Sequence, residues 1–152
     1  MITDSGDRTQ YETGAVRDMK AGKGRCDLIP LDIATSITKC SVIKLLSGYQ
    51  ITGGVECLYD ILELVCIEGE WQMFPDTYTM LLEVAKHFEE GAKKYGEHNW
   101  EKGIPEWSYL DSATRHFLKW LRGDDDERHD RAFVWNIICL IWTHENIHQG
   151  EI

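Results

Sequence analysis

The sequence predicts an all-α protein, a bundle of about five helices preceded by an extended N-terminal arm. Three observations predict it. Apolar residues recur at spacings of three and four in five successive segments, as one face of a helix requires. Nowhere does an alternating, strand-like pattern run longer than a few residues. The 152 residues are 43% apolar and 28% charged, which suits one globular domain with a sizeable core and excludes a disordered or fibrous chain.

Residues 1–27 carry five acidic and five basic side chains and little periodic hydrophobicity, so they read as an arm that gains order only by docking on the domain or on a partner subunit. Residues 28–152 form the single domain. A first helix is expected from Pro30 to about Leu46, with Leu31, Ala34, Ile37, Ser41 and Leu45 on one face, ended by Gly48, Gly53 and Gly54. Val55, Leu58, Tyr59, Leu62, Val65 and Cys66 mark a second, closed by Glu68, Gly69 and a turn around Pro75. The third runs from about Asp76 to Tyr95, with Leu81, Val84, Ala85, Phe88, Ala92 and Tyr95 inward and Gly96 as its stop. After the connection EHNWEKGIPEW, Ser108 and Asp111 resemble a capping box that opens a fourth helix. Its inward residues are Leu110, Ala113, Phe117, Trp120 and Leu121, and it stops at Gly123. The last helix, about Glu127 to His148, is apolar almost all round between Ala132 and Trp142, which places it at the bundle centre or in a subunit interface.

Twenty-six acidic against 16 basic residues give a net charge of −10, the wrong sign for polymeric nucleic acid or an anionic membrane surface. Five cysteines with no CxxC pair suggest reduced thiols in the cytoplasm, the host cytoplasm for a phage-encoded chain. The first thirty residues lack the apolar region of a signal peptide, and the longest apolar stretch is too short for a bilayer.

Candidate chemistry is concentrated in the last three helices. With successive residues about 100° apart and Leu81 as the core direction, Glu89 falls near 80° and Glu90 near 180°. Glu90 is therefore expected in solvent and Glu89 beside the core, either as an i,i+4 ion pair with Lys93 or as a metal-binding carboxylate. Asn136 interrupts AFVWNIICLIW, where a buried amide needs its hydrogen bonds met, and His129 lies two turns earlier on the same face. Each has a purely structural alternative, an internal hydrogen-bond network for Asn136 and a satisfied core histidine for His129. Arg115, His116 and Lys119 share the fourth helix. Asp124, Asp125 and Asp126 read as a solvated loop, whereas Glu127 and Asp130, three apart, can share a hard divalent cation. Zinc is disfavoured because the histidines do not alternate with cysteines at ligand spacings. No P-loop, GxGxxG or GxSxG occurs, although the N-terminal glycines with Lys20, Lys23 and Arg25 could wrap phosphates. Metal-assisted attack of water on a phosphate remains.

The runs GKGRCDLIPL, FEEGAKKYGEHNWEKGIP and LDSATRHFLKWLRGDDDERHDRAFVWN resemble the dATP/dGTP diphosphohydrolase family, MazG-like proteins of phages and prophages. The resemblance covers roughly residues 14–31 and 80–145. It implies an all-α, MazG-like nucleotide pyrophosphohydrolase that cleaves purine deoxynucleoside triphosphates to the monophosphate and pyrophosphate with Mg²⁺ or Mn²⁺. It also implies a homo-oligomer, dimer or tetramer, and a role in supplying nucleotides for phage DNA that contains 2-aminoadenine. The family's recurring positions fall on Asp27, Glu89, Gly91, Lys93, Lys94, Tyr95, Asn99, Trp100, Asp111, Arg115, His116, Glu127, His129, Trp135 and Asn136.

On this reading Glu89, Asp111, Glu127 and Asp130 supply the metal carboxylates, with one of them handling the attacking water. Glu89, His116 and His129 form the catalytic set. Lys93, Lys94, Arg115 and Lys119 neutralise the departing pyrophosphate, Asp27, Asn99 and Trp100 receive the purine, and Asn136 completes the substrate site. Two departures from the family pattern stand out: the helix aligned with the usual ExxE reads SATRH, and residues 40–76 look like a helical insertion. The alternative from another class is a non-catalytic oligomeric interaction or nucleotide-binding module, since five of six tryptophans lie from Trp100 onward.

Overall fold

The computed structural model describes residues 5–67 and 71–147. Among them are six α-helices and one small hairpin: β1 (Arg8–Gln10), β2 (Val16–Asp18), α1 (Leu31–Thr38), α2 (Ser41–Thr52), α3 (Val55–Cys66), α4 (Thr77–Tyr95), α5 (Glu106–Arg122) and α6 (His129–Asn146). The all-α expectation holds. Short 3-10 turns at Cys26–Leu28 and Asn99–Lys102 sit ahead of α1 and α5.

The single helix expected from Pro30 is in fact two. Lys39 adopts a left-handed conformation (φ 57°) that ends α1, and α2 starts after Cys40. Gly48 does not stop α2. A Cβ there would lie 2.9 Å from Cys57 Sγ, so the missing side chain is what lets α2 and α3 approach. Gly53 (φ 69°) ends the helix instead, its N–H donating to Tyr49 O.

In α3 the core positions are Leu58, Ile61, Val65 and Cys66, while Tyr59 turns outward and bonds Glu145. The expected stop at Glu68 and Gly69, and the expected end at His148, lie outside the described residues. Asp76 caps α4, its Oδ1 accepting from Thr79 N at 2.7 Å. The phase of α4 corrects the sequence reading. Met80, Val84 and His87 are buried against α6, whereas Leu81, Leu82 and Ala85 are exposed. This helix carries two apolar stripes, and α6 takes only one of them.

The capping-box reading of Ser108 and Asp111 is also corrected. Pro105 precedes the first turn of α5 with its φ fixed near the helical value, so Ser108 and Asp111 lie inside the helix, both fully buried. Leu110, Ala113 and Phe117 face inward as expected, while Trp120 is half-buried and Leu121 exposed. Gly123 (φ 89°) closes α5 by sharing its N–H between Lys119 O and Trp120 O. α6 is buried along most of its length and packs on α3, α4 and α5, so of the two expected places, bundle centre or subunit interface, it takes the bundle centre. None of the helices described is long and apolar enough to cross a membrane.

The arm docks on its own domain. Two three-residue strands are too little to stand alone, and tertiary bonds supply the rest: Tyr11 with Ser108 (2.7 Å), Thr13 to Gly103 O (2.8 Å), and the Asn99 amide with both backbone groups of Val16 (2.8 and 2.7 Å). Ala15, the last residue of the hairpin connection, is fully buried.

Candidate functional site

Docking the arm creates a cleft of about 520 Å³. Its walls come from four elements with different chemistry. The C-terminal half of α4 and the segment after it give His87, Phe88, Gly91, Tyr95 and Trp100, one face of α5 gives Ser112, Arg115, His116 and Lys119, and α6 gives Trp135 and Asn136. The arm adds Arg17, Lys20 and Lys23. The aromatic side is self-packed: Phe88 lies 5.4 Å from Trp100 and 5.7 Å from Trp135 between ring centroids.

Cations sit beside these rings, held by buried partners. Arg17 donates to Asn136 Oδ1 at 2.9 Å, and its guanidinium lies over the rings of Tyr109 and Trp135. The Asn136 Nδ2 donates to Ala132 O at 2.8 Å, so the amide that interrupts α6 is satisfied and positions an arginine. Behind this layer, fully buried Asp111 accepts from Lys20 Nζ (3.1 Å), Arg115 Nη2 (2.6 Å) and Cys26 N (2.7 Å). Burial alone would raise the Asp111 pKa, but Arg115 and Lys20 outweigh it and hold the carboxylate low. Lys20 is pushed down to about 7 by burial and then by Arg17, because one carboxylate faces several cations. His87 falls to about 3 through burial and Arg131, and its Nδ1 is buried without a partner, as is Trp135 Nε1.

At one margin of the cleft, His116 Nδ1 lies 3.0 Å from His129 Nδ1, and Glu127 Oε1 lies 3.3 Å and 3.7 Å from these two atoms. Asp126 Oδ1 accepts from His129 Nε2 at 2.7 Å. Burial, and then the neighbouring His129, push the His116 pKa well below its ordinary value, so the ring is neutral.

Of the sequence-derived site residues, Asn99, Trp100, Arg115, His116, Lys119, Glu127 and Asn136 line the cleft, with His129 and Asp111 directly behind. The Asn99 amide, assigned to the purine, spends its bonds on Val16. Asp27, assigned to the purine as well, is held by a two-pronged bond from Arg25, away from the lining. Asp130 is gripped by Arg128 in the same manner. Glu89 and Lys93 pair with each other at 3.3 Å on the outer face of α4, both largely exposed. This corrects the expected order of the two glutamates, because Glu90 is the one turned inward, bonding Arg131 at 2.6 Å. Lys94 does not line the cleft either. The sequence reading gave no role to Arg17 or His87. A lone arginine in a charged arm has no local signal, and His87 is visible only once the true phase of α4 is known.

Within the single chain, Glu89, Asp111, Glu127 and Asp130 are not brought together. Glu89 is outside, Asp111 is saturated by three donors and Asp130 is taken by Arg128, leaving Glu127 beside two imidazoles.

The model of the dATP/dGTP diphosphohydrolase N-terminal region matches residues 69–151, more than half of the 152-residue chain. The chain belongs to this family. The matched region contains α4, α5 and α6, which supply three of the four cleft walls, while the arm that completes it lies outside the match. No curated protein and no solved structure matches the chain.

Proposed function

We propose that the protein hydrolyses a purine deoxynucleoside triphosphate, dGTP or dATP, to the monophosphate and pyrophosphate. One observation carries the reading: one cleft in a diphosphohydrolase-family domain brings aromatic rings together with a cluster of cations. Phe88 and Trp100 offer aromatic surface on which a purine stacks. Arg17, Lys20, Lys23, Arg115 and Lys119 offset the triphosphate charge, the electrostatic contribution that dominates phosphoryl transfer. The nucleotide enters as its Mg²⁺ complex, or its Mn²⁺ complex.

Water adds its oxygen to the α-phosphorus, the bond to the bridging α–β oxygen breaks, and pyrophosphate leaves with the electron pair. Of the four carboxylates singled out in the sequence, Glu127 is the one lining the cleft, so orienting that water falls to it, with His116 beside it. The monophosphate product is the form that a modified-purine pathway would take up. Five free cysteines suit a cytoplasmic setting.

Homo-oligomerisation belongs to the same proposal. Tyr78, Leu81, Leu82 and Ala85 form an exposed stripe on α4 with Tyr78 at 79% and Leu82 at 69% exposure, a face that a second copy would cover. The decisive assay incubates the protein with each dNTP and Mg²⁺ and measures pyrophosphate separately from orthophosphate. Pyrophosphate from dGTP or dATP is expected. Nucleotide binding with neither product would leave a non-catalytic binding module, and orthophosphate alone would indicate attack at the γ-phosphate.

A further inference from the structure

His116, Glu127 and His129 converge as a mixed nitrogen and oxygen donor set, unlike the carboxylate cluster a hard cation prefers. We propose that His116 Nδ1, His129 Nδ1 and Glu127 Oε1 hold one divalent transition-metal ion of the Zn²⁺ class, with an open coordination position towards the cleft.

Four observations carry this. The ligand atoms form a triangle with edges of 3.0, 3.3 and 3.7 Å. A tetrahedral ion with bonds of about 2.0–2.1 Å requires ligand separations of about 3.3–3.4 Å, so side-chain shifts of a few tenths of an ångström close the triangle around such an ion. Second, Asp126 accepts from His129 Nε2 at 2.7 Å. That bond fixes the ring proton on Nε2 and leaves the Nδ1 lone pair directed at the other two ligands, the carboxylate–histidine–metal arrangement. Third, the site is enclosed: the side chains of His129 and Glu127 are only 1% and 7% exposed, which limits competition from bulk water. Finally, two of the three ligands, His116 and Glu127, also line the cleft in which a triphosphate would lie.

Two imidazoles and one carboxylate select a borderline ion over Mg²⁺, which prefers oxygen ligands. The ion's role in turnover rests on the pyrophosphohydrolase reading, but the site itself does not. Held by His116, Glu127 and His129 at the cleft margin, such an ion would supply an acidified water. The water's proton passes to solvent, its oxygen bonds the α-phosphorus, and pyrophosphate leaves with the electron pair of the broken bond.

The test uses the full chain, stripped with a chelator, returned to metal-free buffer without nucleotide and titrated with Co²⁺. The expected result is one Co²⁺ per chain with the visible absorption of a four- or five-coordinate ion, abolished by one equivalent of Zn²⁺ and untouched by millimolar Mg²⁺. His116→Ala and Glu127→Gln should remove the spectrum. Asp126→Asn, at a side chain 54% exposed and therefore safe for folding, should weaken binding roughly 10–100-fold. A folded wild type that binds no Co²⁺ stoichiometrically overturns the proposal, as does a spectrum unchanged in all three variants. Either result would mean that the two histidines simply hydrogen-bond each other. A protein that binds Co²⁺ but hydrolyses no nucleotide retains the metal site and loses the enzymatic reading, so the two failures are distinguishable.

Discussion

Arg17 and Asn136, 119 residues apart, meet through a 2.9 Å hydrogen bond that fixes a cation from the arm against the central helix. A bond to a charged group contributes about 1.5–3 kcal/mol, and here it also orients the guanidinium towards the cleft. Arg17→Ala should lower kcat/KM for dGTP or dATP, and Asn136→Ala should do so less severely, since the arginine remains but loses its anchor. The double variant should fall short of the summed effects by about 0.5–3 kcal/mol. Fully additive effects would mean the two residues act independently.

Asp111 holds the arm to α5 with three donors and no exposure. Removing its charge leaves Lys20 and Arg115 buried without their counter-ion, and breaking a buried pair in this way costs about 3–5 kcal/mol. Asp111→Asn should therefore lower the denaturation midpoint strongly. The folded pKa lies below the unfolded value of 3.8, so the wild-type advantage is fully present above roughly pH 4–5 and is lost as the pH falls through the folded value. Urea titrations at pH 7 and at pH 3 should show a gap between wild type and variant that narrows in acid; a constant gap would contradict the assignment.

Local signals in the sequence located the helices well where a cap or a left-handed glycine marks the end: Asp76 and Gly96 around α4, Gly123 after α5. They misplaced side chains where tertiary packing decides. α4 has two apolar stripes of equal periodicity, and only the arrival of α6 chooses Met80, Val84 and His87, carrying Glu90 inward and Glu89 outward. Asp111 matched a capping pattern locally but is buried because the arm lies over it. Asn136 was legible because a polar residue on an apolar helical face needs a reason, Glu127 stood out by its spacing to Asp130, and His116 came from the family resemblance. Arg17 was not legible, since its partners Asn136, Tyr109 and Trp135 are about ninety or more residues away along the chain.

Lys20 should make nucleotide binding take up a proton. Its pKa of about 7 reflects burial and the facing charges of Arg17 and Arg115, only partly offset by Asp111. A bound triphosphate favours the ammonium, so at pH 8 binding must protonate it, and affinity should fall as the pH rises through about 7, by up to about tenfold per unit. Calorimetry in buffers of differing ionisation enthalpy measures the uptake. Lys20→Arg, charged at any working pH, should abolish the component that distinguishes Lys20 from the nucleotide's own titration. Equal uptake by both proteins would rule Lys20 out.

Glu89 and Glu127 are separated by one comparison. The exposed Glu89–Lys93 pair contributes about 0–1 kcal/mol to stability, and its carboxylate is absent from the cleft lining. Glu89→Gln should keep near-wild-type turnover and Tm, while Glu127→Gln should lose turnover by orders of magnitude with the fold intact by circular dichroism. Loss of turnover in a folded Glu89→Gln would place Glu89 in a site completed by another copy of the chain.

The outer face of α4 decides whether that second copy exists. Leu82 is 69% exposed and Leu81 51%, next to Tyr78 and one turn before Ala85, a stripe wide enough to pair with itself across a two-fold axis. Burying such leucines contributes about 1.5–3 kcal/mol each, so a charge placed among them penalises association while leaving the α6-facing core of Met80 and Val84 untouched. Leu82→Asp should convert the wild-type oligomer to monomer by light scattering, with helical content unchanged. If the wild type is already a monomer at micromolar concentration, the stripe is not an interface, and the cleft must function with the residues of one chain alone.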